Sequence, residues 1–363
     1  MIDRRRFGLA GAAVLVAGPA RGHVGVQRVP GGRIPIVIAH RGASGERPEH
    51  TELAYALAVA QGADFIEPDL VLTRDGHFVC RHENEIGGTT DVAGRAEFAA
   101  RKATKVIDGE EITGWFTEDF TLAELKTLRC RERLPQLRPG NVAFDGREAI
   151  PTFDEVVALA AEEGRRRGRT IGLYPELKHP LHFARAGLAM ESRFAARLKA
   201  HGFDRRSAPV FVQCFEVTPL KTLRGMVKTP LVQLISNEGG PADLTGVTYA
   251  QMATAEGLKA IAAYADGAGP HGSLVVPSDG KALLPPTAFV RRAHAAGLKV
   301  HPWTVRRENA FLPTGLRSSE RPAEVGDVGA LFAALFKAGA DGVFTDNPAQ
   351  GVKARNAFIG GKA

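Results

Sequence analysis

Glu67 and Asp69 stand two residues apart in the apolar run FIEPDLVL, so on a strand their side chains leave the same face. Two carboxylates on an apolar strand repel one another unless a cation lies between them. Glu176, in the later run YPELK, offers a third oxygen. Three hard carboxylates with no neighbouring Cys suit Mg²⁺ or Ca²⁺ better than zinc, and a salt-bridge cluster with Arg or Lys is the other reading of the same residues. His40 ends one apolar run and His82 follows another. A histidine pair lets one imidazole remove a proton while the other protonates a leaving oxygen, as phosphoryl or acyl transfer requires. Arg41 brings a planar fork for a phosphate, Lys178 a point charge, and Gly42 a backbone that a ligand can approach closely.

Such groups need a scaffold that brings distant segments together. Strand-like runs occur at Ile36–Ala39, Phe65–Leu72, Ile171–Lys178, Pro209–Phe215, Leu231–Ser236, Ala260–Tyr264, Lys299–Val305 and Gly342–Thr345, with helix-length amphipathic stretches between them. That alternation predicts an α/β chain folded as a parallel (β/α)₈ barrel over residues 33–352. Reactive groups of such barrels gather at the C-terminal ends of the strands, where His40, Glu67, Asp69 and Glu176 fall. Arg74-Asp75-Gly76 predicts a hairpin returning through His77–Arg81. Residues 84–150 are too long and polar for a simple loop and predict a small inserted subdomain over one side of the mouth. Arg306–Val325 reads as a shorter insertion at the same end.

The chain has 363 residues, 44% hydrophobic and 24% charged, which excludes a disordered polypeptide. Residues 1–22, MIDRRRFGLAGAAVLVAGPARG, combine a basic head with a short apolar run and small residues, the pattern of a twin-arginine-type export signal. The run is shorter than the about 20 residues a membrane span needs. The protein is therefore expected to be periplasmic or otherwise exported, without a stable membrane anchor. Removing that segment takes away four Arg and one Asp and lowers the formal charge from +7 to +4, which argues against nucleic acid as a partner. Three cysteines, Cys80, Cys130 and Cys214, form no C-x-x-C pair and predict no disulfide framework.

Six blocks, IAHRGASGERPEHT (38–51), FIEPDLVLTRDGHFVCRHE (65–83), YPELK (174–178), VQCF (212–215), HPWTVR (301–306) and GVFTDNP (342–348), resemble in this order the glycerophosphodiester phosphodiesterases. His50, where many relatives carry Asn, resembles the periplasmic bacterial branch. The resemblance implies a barrel with a small inserted subdomain and a bound divalent cation, commonly Ca²⁺. It also implies hydrolysis of glycerophosphodiesters, small deacylated phospholipids, to sn-glycerol 3-phosphate and an alcohol. On that pattern Glu67, Asp69 and Glu176 match the metal ligands, His40 and His82 the acid/base pair, and Arg41 and Lys178 the phosphate contacts. Glu49 matches a mouth carboxylate that orients His40 or touches substrate, and Trp303 an aromatic on the glycerol side. Phe344 matches a second such aromatic or a core residue, and Gln213 a substrate contact or a buried amide. The sequence departs mildly from the pattern at Pro68, at Glu83, where Asp often stands, and at His271, where Asp is common. A lipid-acting relative would need an apolar rim, and residues 84–150 carry few aromatics beyond Trp115, Phe116 and Phe120. A non-catalytic binding protein would lack one of the histidines or carboxylates, and all are present.

Overall fold

Ile36–His40, β-branched and apolar, is the seam of a closed ring: it pairs in parallel with Gly342–Thr345 on one side and Phe65–Glu67 on the other. The computed structural model describes residues 34–361 and the backbone of a short antiparallel pair, Arg28–Val29 with Gly32–Arg33. The export signal expected over 1–22 lies outside the described residues. Parallel pairing continues from Phe65–Glu67 to Gly172–Leu173. Beyond two prolines it runs from Asp69–Leu72 through Glu176–Leu177, Val212–Cys214, Leu231–Ile235 and Gly267–Pro270 to Lys299–Val300. A Val305–Thr345 bridge and a hydrogen bond from Asp341 N to Val300 O (2.9 Å) close the ring. The fold is the (β/α)₈ barrel, with Phe78–Cys80 returning antiparallel on Asp69–Leu72 as the hairpin.

Pro68 and Pro175 interrupt two strands because each lacks a ladder donor, but their carbonyls still accept. Glu176 N donates to Pro68 O (3.0 Å) and Gln213 N to Pro175 O (2.9 Å). The ladder thus resumes in register on the far side of each proline, and the carboxylates there stay aligned.

One strand lies elsewhere than the sequence suggests. Ala260–Tyr264 is the end of a helix, Ala255–Ile261, and the turn after it, and the strand is Gly267–Pro270. Thr254 starts the helix by accepting from Gly257 N (3.1 Å). The strand GAGP has no β-branched residue to mark it, and packing explains why: a Cβ on Gly269 would stand 2.7 Å from Leu234 Cδ2.

Inside the ring, Ile38, Tyr174, Phe211, Val232 and Phe344 form a core of their own, separate from the larger apolar layer between strands and helices. Residues 84–150 contain the antiparallel strands Ala103–Ile107 and Glu110–Gly114, turned at Asp108-Gly109, and a short helix Leu122–Leu125. Trp115, Phe116 and Phe120 are buried beneath them, so they provide no apolar rim. Cys80, Cys130 and Cys214 are buried free thiols. Among the described residues no helix is long and apolar enough to cross a membrane.

Candidate active site

Register assembles the site. His40 lies beside Glu67, and Glu176 lies between Asp69 and Gln213 on the neighbouring strands. One oxygen from each of Glu67, Asp69 and Glu176 falls within 4.8 Å of the others, and all three residues are buried. Glu67 Oε2 accepts from the Arg41 backbone N–H (2.8 Å) and Oε1 from Gln213 Nε2 (3.1 Å). Asp69 Oδ2 accepts from His50 Nε2 (2.9 Å) and faces Arg41 Nε (3.3 Å), whereas its buried Oδ1 has no hydrogen-bond partner. Glu176 Oε1 accepts from Lys178 Nζ (2.8 Å).

Arg41 sits in the left-handed region (φ +58°), rare for a side chain that carries Cβ, and its N–H to Glu67 and its carbonyl to His50 N (3.1 Å) hold it there. Gly42 follows at φ +84°, with its Cβ direction 2.7 Å from the backbone of Ala54. The glycine is required by the loop's packing on the next helix, a different reason from the ligand approach its position suggests.

Burial raises the Glu67 carboxyl well above its ordinary range, and Asp69 and Glu176 push it further. Glu176 is raised to about 7, burial and Asp69 outweighing Lys178. Asp69 goes the other way: burial opposes its charge, but His82, the His50 hydrogen bond and Lys178 together hold it well below the usual carboxylate range. The cluster is short of positive charge, has a buried oxygen without a donor and offers oxygen ligands alone. It fits a divalent cation.

His40 Nδ1 lies 2.6 Å from Asp346 Oδ1. His82 Nδ1 bonds Glu83 Oε1, and His82 Nε2 stands 3.2 Å from Lys178 Nζ. Burial, followed by the positive charge of Arg41, lowers His40 to about 4 despite Asp346. Burial, Arg41 and Lys178 lower His82 to about 3. Both imidazoles are neutral at neutral pH, each with an Nδ1–H committed to a carboxylate, and Nε2 of His82 accepts from Lys178. The role of Asp346 escapes a reading of residue types, although it stands one residue past the last barrel strand, where such a group belongs.

The sequence profile of the glycerophosphoryl diester phosphodiesterase family matches residues 40–350. The chain belongs to that family. It is 38% identical over 324 residues to a glycerophosphodiester phosphodiesterase of Arabidopsis thaliana, covering 86% of this chain and 83% of that one. It is 31% identical over 344 residues to one of Haemophilus influenzae, covering 88% and 89%. A phosphodiesterase of Oleispira antarctica, solved in complex with the product sn-glycerol-3-phosphate, shares the fold with a TM-score of 0.58 at 22% identity, covering 89% of this chain and 97% of that one. A glycerophosphodiester phosphodiesterase of Agrobacterium tumefaciens does so with 0.55 at 17%, covering 88% and 99%.

The other positions divide between this phosphodiesterase site and its supports. Glu49 orients Arg41, not His40: its Oε2 accepts from Arg41 Nη1 (2.8 Å). Gln213 is buried and holds Glu67, with a weaker bond to Tyr174 O (3.5 Å). Trp303 is partly exposed and donates Nε1–H to Gly269 O (2.8 Å), with its ring edge-on to Phe215 and to His271, one of the positions that depart from the family pattern. Phe344 is only 2% exposed and meets Tyr174 edge-on at 4.8 Å inside the barrel, so the structure assigns it to packing. Phe344→Ala is expected to cost about 3–5 kcal/mol of stability. Phe344→Leu should cost under about 1.5 kcal/mol and leave KM for glycerophosphocholine within about twofold, by denaturant unfolding and steady-state kinetics. A KM raised tenfold by Phe344→Leu would put the ring in the substrate pocket instead.

Proposed function

We propose that this protein hydrolyses glycerophosphodiesters, the deacylated phospholipids, to sn-glycerol 3-phosphate and an alcohol. The reading rests on one observation: a buried three-carboxylate cluster has His40 in register beside Glu67 and His82 linked to Glu176 through Lys178, each imidazole tied at Nδ1 to its own carboxylate. The names of its relatives and the product bound in the Oleispira antarctica protein support it. Glu67, Asp69 and Glu176 would hold the cation, with Ca²⁺ favoured over Mg²⁺ on the family resemblance and the all-oxygen ligand set. When bound, that ion neutralises charge on the non-bridging phosphate oxygens.

Arg41, clamped by Glu49, presents a second positive group to the phosphate, and Lys178 adds charge beside His82. His40 removes the proton of the nucleophile, water or the substrate's own glycerol 2-hydroxyl, at Nε2, because Nδ1 is committed to Asp346. His82 delivers a proton to the departing alcohol oxygen. The anionic phosphate favours the imidazolium and so offsets the burial that keeps His82 neutral in the free site. Trp303 lines the glycerol side. Residues 1–22 support an exported, periplasmic setting.

Glycerophosphocholine incubated with the protein and Ca²⁺ should yield sn-glycerol 3-phosphate and choline, read by a coupled glycerol 3-phosphate assay. Phosphocholine and glycerol as products, or no turnover, would overturn the reading.

A further inference from the structure

Two arginines five residues apart in the 84–150 segment reach across the barrel mouth to the supports of the reacting groups. Arg138 is 7% exposed, and all three of its nitrogens are engaged: Nε to Glu308 Oε1 (2.7 Å), Nη1 to Ser44 O (3.0 Å) and Nη2 to Asp346 Oδ2 (2.5 Å). The other oxygen of Asp346 is the one that holds His40. Arg306 Nε also reaches Asp346 Oδ2 (3.0 Å). Arg133 directs Nε (2.9 Å) and Nη2 (2.7 Å) onto Glu49 Oε1, and the other oxygen of Glu49 holds Arg41. Arg133 Nη1 also lies 3.5 Å from Glu83 Oε1, the atom that binds His82.

Between the two arginines the backbone is pre-set. Leu137 N and Arg138 N both donate to Leu134 O, and Glu132 ties Leu134 N to Asn141. Buried ion networks of this kind are poor sources of stability, since removing charges from water costs about as much as their pairing returns. Their value here lies in where they end. Each chain of contacts runs from the segment to a carboxylate and from the carboxylate to His40, Arg41 or His82.

We propose that Arg133 and Arg138 are positioning residues of the hydrolase site, so that the 84–150 segment clamps both histidines and the phosphate-binding arginine. The proposal rests on the hydrolytic reading above. Arg138 acts through Asp346 on His40, and Arg133 acts through Glu49 on Arg41 and through Glu83 on His82.

The test uses the full chain with saturating Ca²⁺ and glycerophosphocholine, and melting curves are recorded for every variant. Arg138→Gln should lower kcat by about 10- to 100-fold with KM nearly unchanged, the cost of a small misplacement of His40. Arg138→Lys, which keeps the charge and part of the reach, should recover some of that loss. In an Asp346→Asn background, Arg138→Gln should cost less than about twofold more, because residues acting in one chain are not additive. Arg133→Gln should raise KM and lower kcat/KM by about tenfold or more, since Arg41 then loses its support. If Arg138→Gln does not fold, Arg138→Lys and Arg133→Gln carry the same decision. Folded variants with parental kcat and KM, or an Arg138 effect undiminished by Asp346→Asn, would overturn the proposal. A parent chain that releases no sn-glycerol 3-phosphate fails the hydrolytic reading and the clamp with it, whereas an active parent with unaffected variants fails the clamp alone.

Discussion

His82→Ala is expected to lower turnover of glycerophosphocholine by about 10²–10⁴-fold, the usual contribution of a positioned acid/base group. The loss should depend on the leaving group. Choline departs as a poor leaving group that must be protonated, whereas a nitrophenolate leaves without help. A glycerophosphodiester of p-nitrophenol should therefore suffer far less from His82→Ala, and His40→Ala should impair both substrates alike. The two histidines differ in setting: His82 Nε2 stands against the Lys178 ammonium, while His40 is held by Asp346 at Nδ1. Near-normal release of sn-glycerol 3-phosphate from glycerophosphocholine by His82→Ala would remove that residue from the mechanism. Equal losses with both substrates would exchange its role for that of a base.

Removing the cation should be comparably severe. Chelation is expected to reduce activity by about 10²-fold or more, since a bound ion contributes several kcal/mol of charge stabilisation, and added Ca²⁺ should restore it. The affinity for Ca²⁺ should also depend on pH in a defined direction. In the ion-free site Glu176 is raised to about 7 and Glu67 is raised well above its ordinary range, so below neutrality at least one proton must leave before the ion binds. The dissociation constant should accordingly rise by about tenfold or more for each pH unit below 7. Dye competition or calorimetry at pH 6 and pH 8 reads this directly. A flat profile would show that the three carboxylates do not share the ion, and activity indifferent to chelator would set the metal assignment aside.

The contrast between Ala260–Tyr264 and Gly267–Pro270 shows where sequence patterns lose information. The first is apolar and reads as a strand, yet Thr254 caps a helix that runs into it; the second is a strand with no residue type that favours one. The insertion hairpin Ala103–Ile107 with Glu110–Gly114 is similarly hard to see, because its strands are exposed on one face and carry charges. The hairpin at Arg74-Asp75-Gly76 is legible because its turn chemistry is local.

Local chemistry is what the linear chain records: the strand–helix alternation, the turn residues, and the acidic, basic and imidazole groups set at strand ends were all readable from residue types and spacing. Partnerships were not. His40 meets Asp346 across 306 positions, and Arg138 meets the same carboxylate across 208. That Glu49 would hold Arg41, and whether Phe344 would face substrate or pack in the core, depended on register between parallel strands and on closure of the ring. A one-residue change of register turns a side chain to the opposite face of a sheet. Periodicity predicts which residues share a face of their own segment, but only the closed barrel decides which segments stand opposite one another.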